Sequence, residues 1–265
     1  MPLELKLNNQ NVKIDTGELV SYKIDDYECI HQKGTPGWRS SDTEMFPIIG
    51  PTNEANFTVK TPLGNATQDQ HGLLRELNYN LINQSQTEAT FSKIYKKNTA
   101  VKNSKYPEKS SAEFLSWPYD FQFIKQFQLN EDSLTITFKV SGDTNMPFML
   151  GYHPAFKLHT ANPVIKTADK TISLKEVMDV GSRALSVPGC DKITLIDDRE
   201  ITIETSGFNN FMLWTEVPNM LCIEPITFYP YDVKQENLNK GFHHLDKKEK
   251  EFIVSIYSPT FKKHS

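Results

Sequence analysis

What most constrains this chain is its repetition of short segments with a two-residue period, with no amphipathic helix between them. LELKLNN and NVKIDT flank an NNQ turn, QFIKQFQL and LTITFKVSG flank NEDS, and TEATFSKIY follows NQSQ. Alternation of this kind sends successive side chains to opposite faces of a sheet. β-branched and aromatic residues fill these segments, while Asn, Asp and Ser mark the breaks. KITLIDD, REITIETSG, NNFMLWTE, NMLCIEPI and EFIVSIYS continue the pattern, and helical signals are confined to SLKEVMDV and SSAEFLS. Many strands at short spacing predict an all-β fold, a large antiparallel β-sandwich with a cleft on one sheet.

The 265 residues carry no repeat, low-complexity tract or Gly/Ser linker, so a single domain over 1–265 is expected. With 38% hydrophobic and 11% aromatic residues the chain can fill a core despite a mean hydropathy of -0.50. Its net charge of -4 and the lack of a basic, aromatic-laced patch argue against nucleic acid. The start, MPLELKLNNQNVKI, is not leader-like, and no run approaches the roughly 18 apolar residues of a membrane helix. A cytoplasmic protein, with no membrane partner, is expected. Cys29, Cys190 and Cys222 are odd in number and scattered, which predicts free thiols rather than disulfides or structural zinc.

Three polar positions stand apart. His153, in GYHPAF, closes the apolar run MPFML; Pro154 favours extended geometry before it and interrupts ladder pairing, leaving the imidazole at a strand end. His71 lies in the loop-like QDQHGLLREL, ahead of a strand expected from LLRELNYNL. Glu224 ends NMLCIE before Pro225, and the two-residue period puts it on one face with Cys222, opposite Leu221 and Ile223. A carboxyl so placed is either desolvated, which raises its pKa toward that of a neutral-pH base, or an edge residue facing water. His31, His159 and His264 read as satisfied structural histidines, and His243, His244 and Asp246 as a solvated turn.

Two histidines and a carboxylate resemble a facial metal triad, but neither histidine has the HxH or HxD/E partner of β-sandwich iron sites. GxSxG, HExxH and GxxxxGK[ST] motifs are absent as well. Metal-free proton transfer suits these residue types better. Sugar anomers interconvert when a base removes the C1 hydroxyl proton while an acid protonates the ring oxygen; the ring opens, turns and recloses. No metal and no cofactor are expected.

FPIIGPTN, QHGLLREL, MPFMLGYHPAF, NNFMLWTE, LCIEP and the closing LNKGFHHLDKKEKEFIVSIYS, in this order, resemble the aldose 1-epimerase family, with the nearest look to its LacX-like short bacterial branch. The resemblance implies a galactose mutarotase-type sandwich acting on a sugar, as monomer or weak homodimer. It implies Glu224 as the base on the C1 hydroxyl, His153 as the acid at the ring oxygen, and His71 as a sugar ligand. Arg75 falls where relatives often carry an arginine and would bind hydroxyls or a phosphate bidentately.

The departures concern substrate contacts. Pro51 stands where relatives commonly have arginine, leaving Arg39 or Asn53 as the expected replacement, and Ile226 stands where tryptophan is common. Trp38, in the GTPGWRSSD loop, is placed either at the cleft mouth or in packing, whereas Trp214 is expected in the core. Phe228, Tyr229 and Tyr231 either wall the site or cover a sheet edge. Three further readings compete: a catalytically silent carbohydrate-binding protein, a hexose-6-phosphate mutarotase and, last, a cupin-like metalloenzyme.

Overall fold

The computed structural model describes residues 2–257 and 260–261. Two extended antiparallel sheets dominate, as the alternating segments predict. The larger runs, in spatial order, through Thr171–Ser173, Val164–Lys166, Lys192–Ile196, Arg199–Ser206, Glu249–Tyr257, Ser133–Gly142, Phe121–Leu129, Glu88–Tyr95 and Asn80–Gln84. Alternation in Phe121–Leu129 buries Phe121, Phe123, Phe127 and Leu129, and register sets Phe127 against Ile136 and Phe123 against Val140. Each such side chain contributes about 1.5–3 kcal/mol by leaving water.

The second sheet orders Leu185–Pro188, Asn210–Trp214, Met220–Ile226, Gly151–Tyr152 and Glu44–Met45, with Ala155–Lys157 also paired to Met220–Ile226. Every residue of Met220–Ile226 is buried. Leu221 and Ile223 join the main core with Phe138 and Tyr152, while Cys222 belongs to a separate small cluster on the other face. A four-stranded sheet (Leu3–Leu7, Gln10–Asp15, Glu18–Ile24, Tyr27–Glu28) adds Leu5, Val12, Leu19 and Tyr22 to that core.

Lys125 breaks the apolar pattern of its strand yet is fully buried. Its Nζ lies 2.7 Å from Asp42 Oδ2 and 2.6 Å from Glu44 Oε1, and the Tyr152 hydroxyl donates to Asp42 Oδ2 at 2.8 Å. Burial works against its charge, but the two carboxylates outweigh this and raise its pKa. The cluster ties the large sheet, through Lys125, to Glu44 and Tyr152 of the second sheet.

One of the two expected helices forms, and three other local expectations give way to tertiary contacts. SLKEVMDV is a helix over Leu174–Val180, closed by a reciprocal Ser173–Glu176 cap. SSAEFLS is not: Asn103 Nδ2 donates to Ser110 Oγ and Ala112 O, holding a loop, and Phe114–Leu115 pairs with Val101–Lys102. LLREL forms a 3-10 turn at Leu74–Glu76, with Lys93 Nζ donating to Leu74 O, and the strand starts only at Asn80. His243–His244, expected in a solvated turn, pairs as a strand with Pro147–Phe148, and His243 is partly buried near the Phe148 ring. His264 lies outside the described residues. Cys29, Cys190 and Cys222 are free thiols. Among the described residues no helix is long and apolar enough to cross a membrane.

Candidate active site

Register brings His153 and Glu224 face to face. Gly151 pairs with Ile226 and Ala155 with Cys222, so positions 153 and 224 fall opposite one another on adjacent antiparallel segments. Between these pairs Pro154 has no N–H to give; its carbonyl accepts from Ile223 N at 3.3 Å. His153 turns its backbone the other way, donating N–H to Thr43 O at 2.8 Å and accepting from Thr43 N at 3.2 Å. Gly151 is required by close approach: a Cβ there would lie 2.4 Å from Met45 Cε. The outcome is His153 Nε2 at 3.3 Å from Glu224 Oε1.

Burial sets the protonation of this pair. Glu224 is 1% exposed, and desolvation raises its pKa well above the usual carboxyl range, with Arg75 opposing. Desolvation pushes His153 down to about 3, and the Arg75 charge pushes the same way. Burial thus favours the neutral form of both groups. His153 Nδ1 and Glu224 Oε2 are buried with no hydrogen-bond partner in the protein.

His71 is held by the Phe46–Gly50 segment. Its N–H donates to Gly50 O at 3.2 Å, its carbonyl accepts from Phe46 N at 3.1 Å, and Gly50 N donates to its Nδ1 at 3.2 Å. The left-handed backbone at His71 (φ 69°) continues into Gly72 (φ 78°), where a Cβ would meet Phe46 O at 2.2 Å. FPIIG thus acts here as a clamp on the histidine. Because Nδ1 accepts, and burial holds the ring neutral, the proton lies on Nε2, leaving a donor.

The three side chains line one cavity of about 270 Å³ with Arg75, Trp38 and Trp214. The Trp38 ring lies against His153 at 4.4 Å between centroids, Trp214 approaches it at 6.1 Å, and the His71 and His153 rings are 6.1 Å apart. Two imidazoles and a desolvated carboxyl around one aromatic-walled space can relay a proton between two oxygens of a bound polyol.

The family model described as aldose 1-epimerase matches residues 53–191, just over half of the chain. The chain belongs to the aldose 1-epimerase family. That match takes in His71, Arg75 and His153 and stops before Glu224. Similar solved structures include a galactose mutarotase-like protein from Lactobacillus casei, at 18% identity and TM-score 0.79, covering 97% of this chain and 99% of that one. A galactose mutarotase related enzyme from Lactobacillus acidophilus follows, at 20% identity and TM-score 0.77, covering 99% of this chain and 100% of that one. A galactose mutarotase-like protein from Clostridium acetobutylicum has 14% identity and TM-score 0.69, with coverage of 98% and 95%. At such identities these likenesses show the sandwich fold. No curated protein matches the sequence.

Within this aldose 1-epimerase-family fold the remaining expected residues divide. Arg75 and Trp38 form a wall shared with a second cavity of about 430 Å³, and Arg39 lines only that second one. Asn53 is exposed, accepts from Gln235 Nε2 at 3.5 Å and lines neither cavity. Trp214, expected in the core, lines the cleft instead, because the strand face it shares with Met212 is turned away from the main core. Of the three aromatics after Glu224 only Tyr231 lines the cavity; Tyr229 donates its hydroxyl to Ala184 O at 3.0 Å. His31 and His159 are satisfied by Trp38 O and Glu28 O.

Arg183 was missed. It stands in the turn after the only α-helix among the described residues and lines the same cavity. A signal existed: only four of the 29 basic residues are arginines, namely Arg39, Arg75, Arg183 and Arg199. Three of them line the two adjoining cavities, and among the described residues none of those three makes an ion pair with a carboxylate. Arg199 packs over the Tyr27 ring.

Proposed function

We propose that this protein is an aldose 1-epimerase that interconverts the α and β anomers of an aldohexose by acid–base ring opening. The observation that carries this reading is the 3.3 Å contact between His153 Nε2 and Glu224 Oε1, both lining the cavity. The mechanism calls for one proton on the pair, carried by the imidazole in the reactive form; the Glu224 carboxylate then takes the proton of the C1 hydroxyl while His153 delivers one to the ring oxygen. The C1–ring oxygen bond breaks, the aldehyde rotates about C1–C2, and reclosure runs both transfers backward. His71 Nε2–H donates to a sugar oxygen, and Trp38 and Trp214 lie against the apolar faces of the ring. Each transfer is worth about 10²- to 10⁴-fold.

The test is anomeric exchange followed by NMR for wild type and Glu224→Gln. Accelerated exchange that collapses in the variant is the expected result. Sugar binding with no acceleration in wild type would instead make the chain a silent carbohydrate-binding protein. A second reading is favoured by Arg39, Arg75 and Arg183, cationic side chains at the two cavities without carboxylate partners. Guanidinium groups bind phosphate bidentately, and a hexose 6-phosphate extending past the Arg75 wall would use them.

A further inference from the structure

Beside the His153–Glu224 contact lies a third group that the proton relay leaves unused. Cys222 is fully buried, two residues before Glu224 on the same strand face, packed with Ala155 and Met220 under Trp38 and Trp214. One ring nitrogen of His153, Cys222 Sγ and one Glu224 oxygen all lie within 4.8 Å of one another. A zinc ion bonded at about 2.1 Å to nitrogen and oxygen and about 2.3 Å to sulfur, in tetrahedral array, sets neighbouring donors about 3.4–3.6 Å apart. The His153–Glu224 separation of 3.3 Å already matches one such edge.

A second, independent observation points to a ligand. Glu224 Oε2, on the same carboxyl, is buried and unpartnered, in a residue 1% exposed. Buried polar atoms are ordinarily bonded. The donor set is mixed imidazole, thiolate and carboxylate, which selects borderline and soft cations such as Zn²⁺ over Mg²⁺ or Ca²⁺. Cys29 and Cys190 have no comparable neighbours: among the described residues this is the one such trio.

The geometry points to an inhibitory site for a thiophilic divalent cation, held by His153, Cys222 and Glu224 and entered through the sugar cavity. Coordination takes Cys222 as thiolate, Glu224 as carboxylate and His153 as neutral imidazole, so the thiol proton and any proton on the carboxyl leave to solvent as M²⁺ enters. The metal would then occupy both groups of the relay, His153 and Glu224, which line the cavity. The inhibitory consequence rests on the epimerase reading; the binding site does not.

Co²⁺ titration of the purified full-length chain tests the site directly. A thiolate-to-cobalt charge-transfer absorption at one equivalent, displaced by Zn²⁺, is expected, and it should vanish in Cys222→Ala. Zn²⁺ should abolish anomeric exchange in wild type with a midpoint at least tenfold lower than in Cys222→Ala, and saturating sugar should compete. Absence of the band in wild type, or its persistence in Cys222→Ala, would overturn the proposal. So would full cation binding without inhibition in a chain that accelerates exchange. Glu224→Gln provides a second arm if Cys222→Ala does not fold: its cobalt affinity should drop about tenfold, and unchanged affinity would count against the site. A wild type that binds cobalt yet never accelerates exchange would sink the epimerase reading alone.

Discussion

The backbone N–H of Gly50 donates to Nδ1 of His71 at 3.2 Å, so a glycine in one motif fixes the tautomer of a histidine in another. Replacing His71 by Asn tests the consequence. Asn accepts the left-handed backbone (φ 69°) that this position demands, so stability should change by less than about 1 kcal/mol. The ring donor is lost, and KM for the sugar should rise about tenfold, roughly the worth of one hydrogen bond to a neutral group. Steady-state exchange kinetics over a range of sugar concentrations read this out, and an unchanged KM would remove His71 from sugar binding.

Gly72→Ala should act on the scaffold. The added Cβ would meet Phe46 O at 2.2 Å, in a backbone already at φ 78°. A destabilisation above about 2 kcal/mol is expected, measured by the urea midpoint, together with lower activity as the clamp on His71 shifts.

Lys125→Met should cost about 3–5 kcal/mol, because Asp42 and Glu44 would remain buried without their cation. Burial already raises the Asp42 pKa to about 6, against the pull of Lys125, and losing the lysine raises it further. The variant therefore regains stability as its carboxyls take up protons. Denaturant unfolding near pH 8 and pH 5 should show the deficit shrinking on acidification; a growing deficit would contradict the assignment.

Acid sensitivity should trace in part to His153. Its pKa falls from 6.5 to about 3 on folding, so below pH 6.5 the unfolded chain binds a proton that the folded chain refuses. The contribution of this residue is therefore full above about 6.5 and lost as pH falls toward 3, with a slope of up to about 1.4 kcal/mol per pH unit, while the raised Glu224 works in the opposite sense. His71, lowered by the same desolvation, adds to the His153 contribution. His153→Gln should flatten the stability–pH profile in that window; an unchanged slope would place the missing proton elsewhere.

Arginine variants separate the two substrate readings. If a hexose 6-phosphate is the substrate, Arg75→Ala should lower kcat/KM for it by about 10-fold or more, the worth of a charged hydrogen bond, while leaving the ratio for free glucose far less affected. Equal losses for both sugars would favour the neutral aldohexose.

Much of this was written locally in the chain. Alternation along QFIKQFQL and LTITFKVSG dictated paired strands, and the period at 221–224 split Leu221 and Ile223 from Cys222 and Glu224, because side-chain direction in a strand depends only on the backbone's two-residue repeat. The residue types of the site, a histidine before proline and a glutamate at the end of an apolar strand, were legible for the same reason. Tertiary structure alone decided the register that sets His153 opposite Glu224, the turn that swings Arg183 into the cavity, the exposure of Trp214 to the cleft and the burial of Lys125 between two acids. These are meetings of segments far apart in sequence, and which of them form is fixed by how whole sheets pack rather than by any local pattern.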